Sequence, residues 1–115
     1  MKDFLLVFRA DWTKSPKGSP EEMQAQTQRW MDWIGGIAAQ NRLTDRGNPL
    51  VASGKVVKAG DVITDGPFME TKESIGGYSI VKADSYEEAC ELAKGCPVLS
   101  MGGAVEVREI GPMSS

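Results

Sequence analysis

Residues Phe4-Leu5-Leu6-Val7-Phe8 are apolar at every position. Successive side chains of a β-strand point to opposite faces, so a strand apolar at both parities needs cover on both sides. A chain of 115 residues makes one domain. Its own helices can cover one face of a sheet, and a second layer must cover the other. The domain is expected to span residues 1–111, with a frayed tail over 112–115.

The helices are marked by their starts. Ser19-Pro20-Glu21-Glu22 places a capping serine before a proline at the first helical position, and Glu22 completes a capping box. Met23, Trp30, Trp33, Ile34, Ile37 and Ala38 then recur at helical spacing, which predicts a helix from Pro20 to about Gln40. Gly35-Gly36 is its weak point and predicts either a break or close backbone packing. Ser85-Tyr86-Glu87-Glu88 opens a second helix through Ala89, Cys90, Leu92 and Ala93, stopped by Gly95 and Pro97. Residues 43–53 read as irregular. Lys55–Lys58 and Asp61–Thr64 flank Ala59-Gly60 as a short hairpin. Further strands are predicted over Tyr78–Ala83 and Ala104–Ile110.

With the hairpin taken as an elaboration of the second strand, the order is βαββαβ. That is an α+β, ferredoxin-like sandwich with both helices on one sheet face. The first strand argues against an open second face, and the expected remedy is a homodimer that pairs two sheets. On the last strand Val105 and Val107 share one parity, and Glu106 and Arg108 the other. If the valines face the helices, the two charges point to the open face. There they would be paired or wet, forming a polar pocket or an interface ion pair; otherwise that face is simply solvated.

Composition narrows the chemistry. The chain has no histidine, which excludes Ser-His-Asp and Cys-His catalysis and histidine-based zinc sites. Proton transfer falls to Asp, Glu, Lys, Tyr or Cys. With 13 basic and 16 acidic residues and no basic run, nucleic acid is not an expected partner. No apolar run approaches the length of a membrane span, and the Met1-Lys2-Asp3 start carries no signal-peptide h-region, so a cytoplasmic location is expected. Cys90 and Cys96 are six apart, which fits neither a redox pair nor a zinc knuckle. Cys90 reads as inert packing within the helix and Cys96 as the more exposed thiol. No cofactor, no metal, no phosphate loop and no dinucleotide fingerprint are expected.

One long stretch is more specific. Val62-Ile63-Thr64-Asp65-Gly66-Pro67-Phe68-Met69-Glu70-Thr71-Lys72-Glu73 resembles the signature of DGPF-domain proteins, a branch of the YCII-related family. Gly76-Gly77-Tyr78, Glu87-Glu88-Ala89, Cys96-Pro97 and Gly102-Gly103 with Val105-Glu106-Val107-Arg108 follow in the family's order, and Trp30 and Trp33 fit it too. The resemblance spans essentially the whole chain. It implies a dimeric α/β barrel of ferredoxin-like protomers. Relatives in the wider superfamily include small dehydrochlorinases and muconolactone isomerase-like proteins, and the histidine of the His–Asp pair associated with YCII proteins is absent here. The branch is often encoded near extracytoplasmic-function sigma factors, which implies a regulatory or accessory role.

Two function classes follow. One is a ligand-binding, regulatory or accessory module. The other is a cofactor-free lyase or isomerase acting on a small carboxylate or lactone, with Asp65 as general base. Asp65 has an equally physical structural role, since its carboxylate can accept backbone N–H groups and fix the Asp65-Gly66-Pro67 turn. Lys72 and Glu70 either close over a pocket beside Asp65 or belong, with Glu73, to a solvated loop. Lys72, Glu106 and Arg108 are the candidate ligand-binding groups, with Trp12 at the pocket mouth, and the ligand they suit is a small-molecule anion.

Overall fold

The computed structural model describes residues 1–11, 18–66 and 74–112. Trp12, Glu70, Lys72 and Glu73 lie outside the described residues, as do Pro67 and Phe68 of the DGPF stretch.

The chain runs β1 (Lys2–Ala10), α1 (Pro20–Ala39), β2 (Leu43–Asp45), β3 (Gly54–Lys58), β4 (Val62–Gly66), β5 (Ser74–Ala83), α2 (Tyr86–Ala93), a 3-10 helix (Pro97–Met101) and β6 (Ala104–Glu109). Four strands form an antiparallel sheet in the order β2-β5-β1-β6. This is the ferredoxin-like arrangement, and the single chain closes no barrel. The doubly apolar strand takes one of the two central places, where both of its edges are paired.

The second strand of that frame is β2, not the hairpin. Leu43–Asp45 pairs with Val81 and Ile80 of β5 although its sequence reads as irregular. A strand this short has little intrinsic preference, and the neighbouring ladder imposes its conformation. The hairpin β3–β4 is a separate two-stranded sheet. Its turn includes Asp61 as well as Gly60, both at positive φ. The hairpin stands off the main body: Val57 and Ile63, paired across it, are 73% and 65% exposed. The radius of gyration is accordingly 15.7 Å, against about 13 Å for a compact chain of this length.

Both helices begin as their caps predict. Ser19 Oγ accepts from the Glu22 N–H and Ser85 Oγ from the Glu88 N–H, each at 3.2 Å. α1 passes through Gly35-Gly36 without a break, and a Cβ at either glycine would meet no neighbour, so close packing is not their role. The helix ends where Asn41 takes a left-handed conformation.

The core is built from one parity of β1, Phe4, Leu6, Phe8 and Ala10. They meet Val81 and Ala83 of β5, Ile37 of α1, Ala89 and Ala93 of α2, and Val98. Each large side chain so buried contributes about 1.5–3 kcal/mol. Val105 and Val107 pack against this cluster, so Glu106 and Arg108 lie on the opposite face, beside Val7 and Leu5 in the register of β6 on β1. The second face carries Leu5, Val7, Tyr78 and Ile80. Val7 is only 8% exposed even in the single chain.

The two thiols exchange the environments expected of them. Cys90 is exposed on α2 and Cys96 is buried in the core. The reason is the path after α2: the chain turns inward at Cys96 so that Pro97 and Val98 can cover the sheet. Burial pushes the Cys96 thiol up to about 11. Among the described residues no helix is long and apolar enough to cross a membrane.

Candidate functional site

A cavity of about 480 Å³ lies between α1 and the β1–β5 half of the sheet. Its floor is aromatic. Phe8 and Trp30 meet edge to face with centroids 5.0 Å apart, and Trp33 extends the cluster at 5.9 Å from Trp30. Thr27 and Ile34 of α1 form the helical wall, and Met101 closes one end. Trp33 Nε1 donates to the Leu92 carbonyl at 2.9 Å, tying α1 to α2. Trp33 is therefore committed to structure. The Trp30 indole N–H has no acceptor among the described residues.

The opposite wall is the loop after β2. Ser79 Oγ donates to the Arg46 carbonyl at 2.6 Å, and Asp45 Oδ1 accepts from the Gly47 N–H at 2.8 Å. The Tyr78 N–H donates to the Asn48 carbonyl at 3.4 Å and the Leu50 N–H to the Gly76 carbonyl at 2.9 Å, with a bridge between Pro49 and Gly77. The loop thus continues the sheet beyond the short β2. Two glycines permit this. Gly47 has φ +73°, and a Cβ there would overlap the Tyr78 carbonyl oxygen. A Cβ on Gly77 would sit 3.0 Å from the Asn48 oxygen. The Gly76-Gly77-Tyr78 motif therefore reads as a seat for this loop.

Two polar groups of the cavity can only donate, the Arg46 guanidinium and the Trp30 indole N–H, while Gln26, Thr27, Asn48 and Ser79 can donate or accept. Arg46 lines the cavity and has no ion-pair partner among the described residues. The Tyr78 side chain projects instead to the open face, beside Val7 in the register of β5 on β1, and its hydroxyl accepts from Asn48 Nδ2 at 3.3 Å. No Asp, Glu, Lys or Cys is among the described residues that line the cavity.

The residues singled out in the sequence lie elsewhere. Glu106 and Arg108 do point to the open sheet face. The Glu106 carboxylate accepts from Arg9 Nε at 2.9 Å and from an Arg108 guanidinium nitrogen at 3.1 Å. The two arginines, Arg108 more strongly, hold its carboxyl below the usual range. Asp65 sits on β4, with its side chain 91% exposed and paired to Lys55 Nζ across the hairpin at 2.5 Å. No backbone N–H among the described residues caps it. Asp65 is therefore brought together neither with Glu106 and Arg108 nor with the cavity.

The family model of the YCII-related domain matches residues 13–114. The chain belongs to the YCII-related family. A solved structure of 5-chloro-2-hydroxyhydroquinone dehydrochlorinase (TftG) from Burkholderia phenoliruptrix AC1100, in complex with 2,5-dihydroxybenzoquinone, matches with a TM-score of 0.50 and 18% identity. The match covers 96% of each chain. At that identity the likeness is one of fold. No curated protein sequence matches the chain.

Within this YCII-related domain, sequence reasoning found the open-face charges but missed the cavity. Its wall comes from residues 46–49, a stretch with no periodicity. The available signal was composite: turn formers Gly47-Asn48-Pro49 in one segment and a small-residue pair, Gly76-Gly77, in another, which only the tertiary fold brings together.

Proposed function

We propose that this YCII-related protein is a small-molecule-binding regulatory or accessory module, with the cavity between α1 and β5 as its ligand site. The observation that carries the reading is the cavity's composition. It has an aromatic floor and hydrogen-bond donors at its rim, and no carboxylate, thiol or amine among the described residues that line it. Among the described residues such a site can bind and orient a ligand and offers no Asp, Glu, Lys or Cys as a general base. The fold neighbour holds a small ring compound, which is compatible with a ligand of that size. The competing reading, a lyase with Asp65 as base, requires a strongly solvated carboxylate to act from a projecting hairpin.

The protomer is further proposed to pair through its open sheet face. Leu5, Val7 and Ile80 supply the apolar centre, and the Arg9–Glu106–Arg108 cluster supplies polar contacts that are already internally matched. Glu106 and Arg108 then serve the interface rather than a ligand. A dimer of this kind should sediment at about twice the mass of a single chain, and a chain that stays monomeric when concentrated refutes it.

The function is tested by a metabolite screen read by thermal shift on the wild type and on Ile34→Trp, which fills the cavity. Stabilising compounds should lose their effect on Ile34→Trp. Turnover of any such compound that disappears in Asp65→Asn would establish the lyase reading instead.

A further inference from the structure

Granting that the cavity between α1 and β5 is the ligand site, we propose that its ligand is a planar aromatic anion. The ring lies against Trp30 and Phe8, and the acidic group meets Arg46.

Four observations converge on that class. The first is the state of the arginines. Arg9 and Arg108 pair with Glu106, Arg42 pairs with Glu88, and Arg29 bonds Gln26. Arg46 alone, among the described residues, has neither an ion pair nor a hydrogen bond from its guanidinium, and it is the arginine that lines the cavity. The second is the anchoring of Arg46. Its carbonyl is held by Ser79, and the following residue is held by Asp45. The base of the side chain is thus fixed before any ligand arrives, which lowers the ordering cost of binding. A planar guanidinium so placed matches a carboxylate in a two-bond fork.

The third observation is the sign of the other groups. The Trp30 indole N–H can only donate, and no carboxylate among the described lining residues could balance a cationic ligand. The fourth is the shape and size. A cavity of about 480 Å³ sits toward the low end of small-molecule pockets. Its aromatic floor favours a flat ring over a puckered one.

Calorimetric titration with four matched probes tests this: 2-naphthoate, 2-naphthamide, cyclohexanecarboxylate and 2-naphthylmethylammonium. Each is titrated into the wild type, Arg46→Gln, Ile34→Trp and Thr27→Phe, after circular dichroism has verified folding. We expect 2-naphthoate to bind at least roughly tenfold more tightly than the amide and than the aliphatic acid, with the ammonium not binding. Arg46→Gln should erase the preference for the acid and leave the amide unchanged. Equal binding of acid and amide, or a preference indifferent to Arg46→Gln, overturns the ligand class. If that binding is still lost in Ile34→Trp or Thr27→Phe, the cavity stands as the site and only its chemistry is wrong. Binding unaffected by either cavity-filling variant removes the site itself. No binding of 2-naphthoate at millimolar concentration overturns the proposal outright.

Discussion

Gly47→Ala places one methyl group where the loop of residues 46–49 crosses β5, and its effect can be worked from the geometry. Gly47 has φ +73°, where a residue with a Cβ loses about 1–2 kcal/mol. The added carbon would also overlap the Tyr78 carbonyl oxygen, which is backbone and cannot swing aside. The loop must lift, and the bonds Tyr78 N–H to Asn48 O and Ser79 Oγ–H to Arg46 O are the first to stretch. Each such bond is worth about 0.5–1.5 kcal/mol. The expected loss is therefore about 2–5 kcal/mol. Gly60→Ala is the matched control, because Gly60 has φ +81° with no neighbour near a built Cβ. It should cost only the conformational part, about 1–2 kcal/mol. Urea unfolding of both variants gives the stabilities, and titration with 2-naphthoate reports the site. Gly47→Ala should lose ligand affinity and Gly60→Ala should not. Equal costs in the two variants, or unchanged affinity in Gly47→Ala, would refute the claim that this loop is seated on β5 and forms the cavity wall.

Other expectations are more local. Asp65→Asn exchanges a solvated partner of Lys55, so stability should move by no more than about 0.5 kcal/mol and ligand response should not change; a lost response would return Asp65 to the site. Glu106→Gln removes a carboxylate whose ionised form two arginines favour. The wild type's advantage should be full above the ordinary glutamate range and vanish as pH falls through the lowered folded value, so an equal difference at neutral and strongly acidic pH contradicts the pairing. Arg108→Met should leave the protomer within about 0.5 kcal/mol yet shift the sedimentation equilibrium, because its guanidinium is a rim contact of the proposed dimer; no shift argues for a solvated face. Cys90 should react with a thiol reagent in the native protein at mildly alkaline pH while Cys96, protonated and covered, should react only after unfolding. Rapid native labelling of both would contradict the burial of Cys96.

Much of the architecture was legible in the residues because it rests on local rules. The two serine caps act over three residues and bond as their spacing requires. The alternation of Val105 and Val107 with Glu106 and Arg108 assigns each to its face, since the strand period allows no other arrangement once the valines are buried. The doubly apolar β1 announces a central strand with both sides in demand. The long DGPF stretch led to the family, which the chain's match to the YCII-related domain bears out.

What the residues did not disclose depends on contacts between distant segments. Leu43–Asp45 became a strand because β5 offered it a ladder, and the hairpin separated from the sheet because that place was already taken. Cys90 and Cys96 exchanged environments because the direction of the chain after α2 is set by how Pro97 and Val98 reach the core. The cavity brings Trp30, Gly77 and Arg46 together, from a helix, a strand and a loop far apart in sequence. Periodicity reports only which face of one element is apolar. Which two faces meet, and what space they leave between them, is decided when the elements pack.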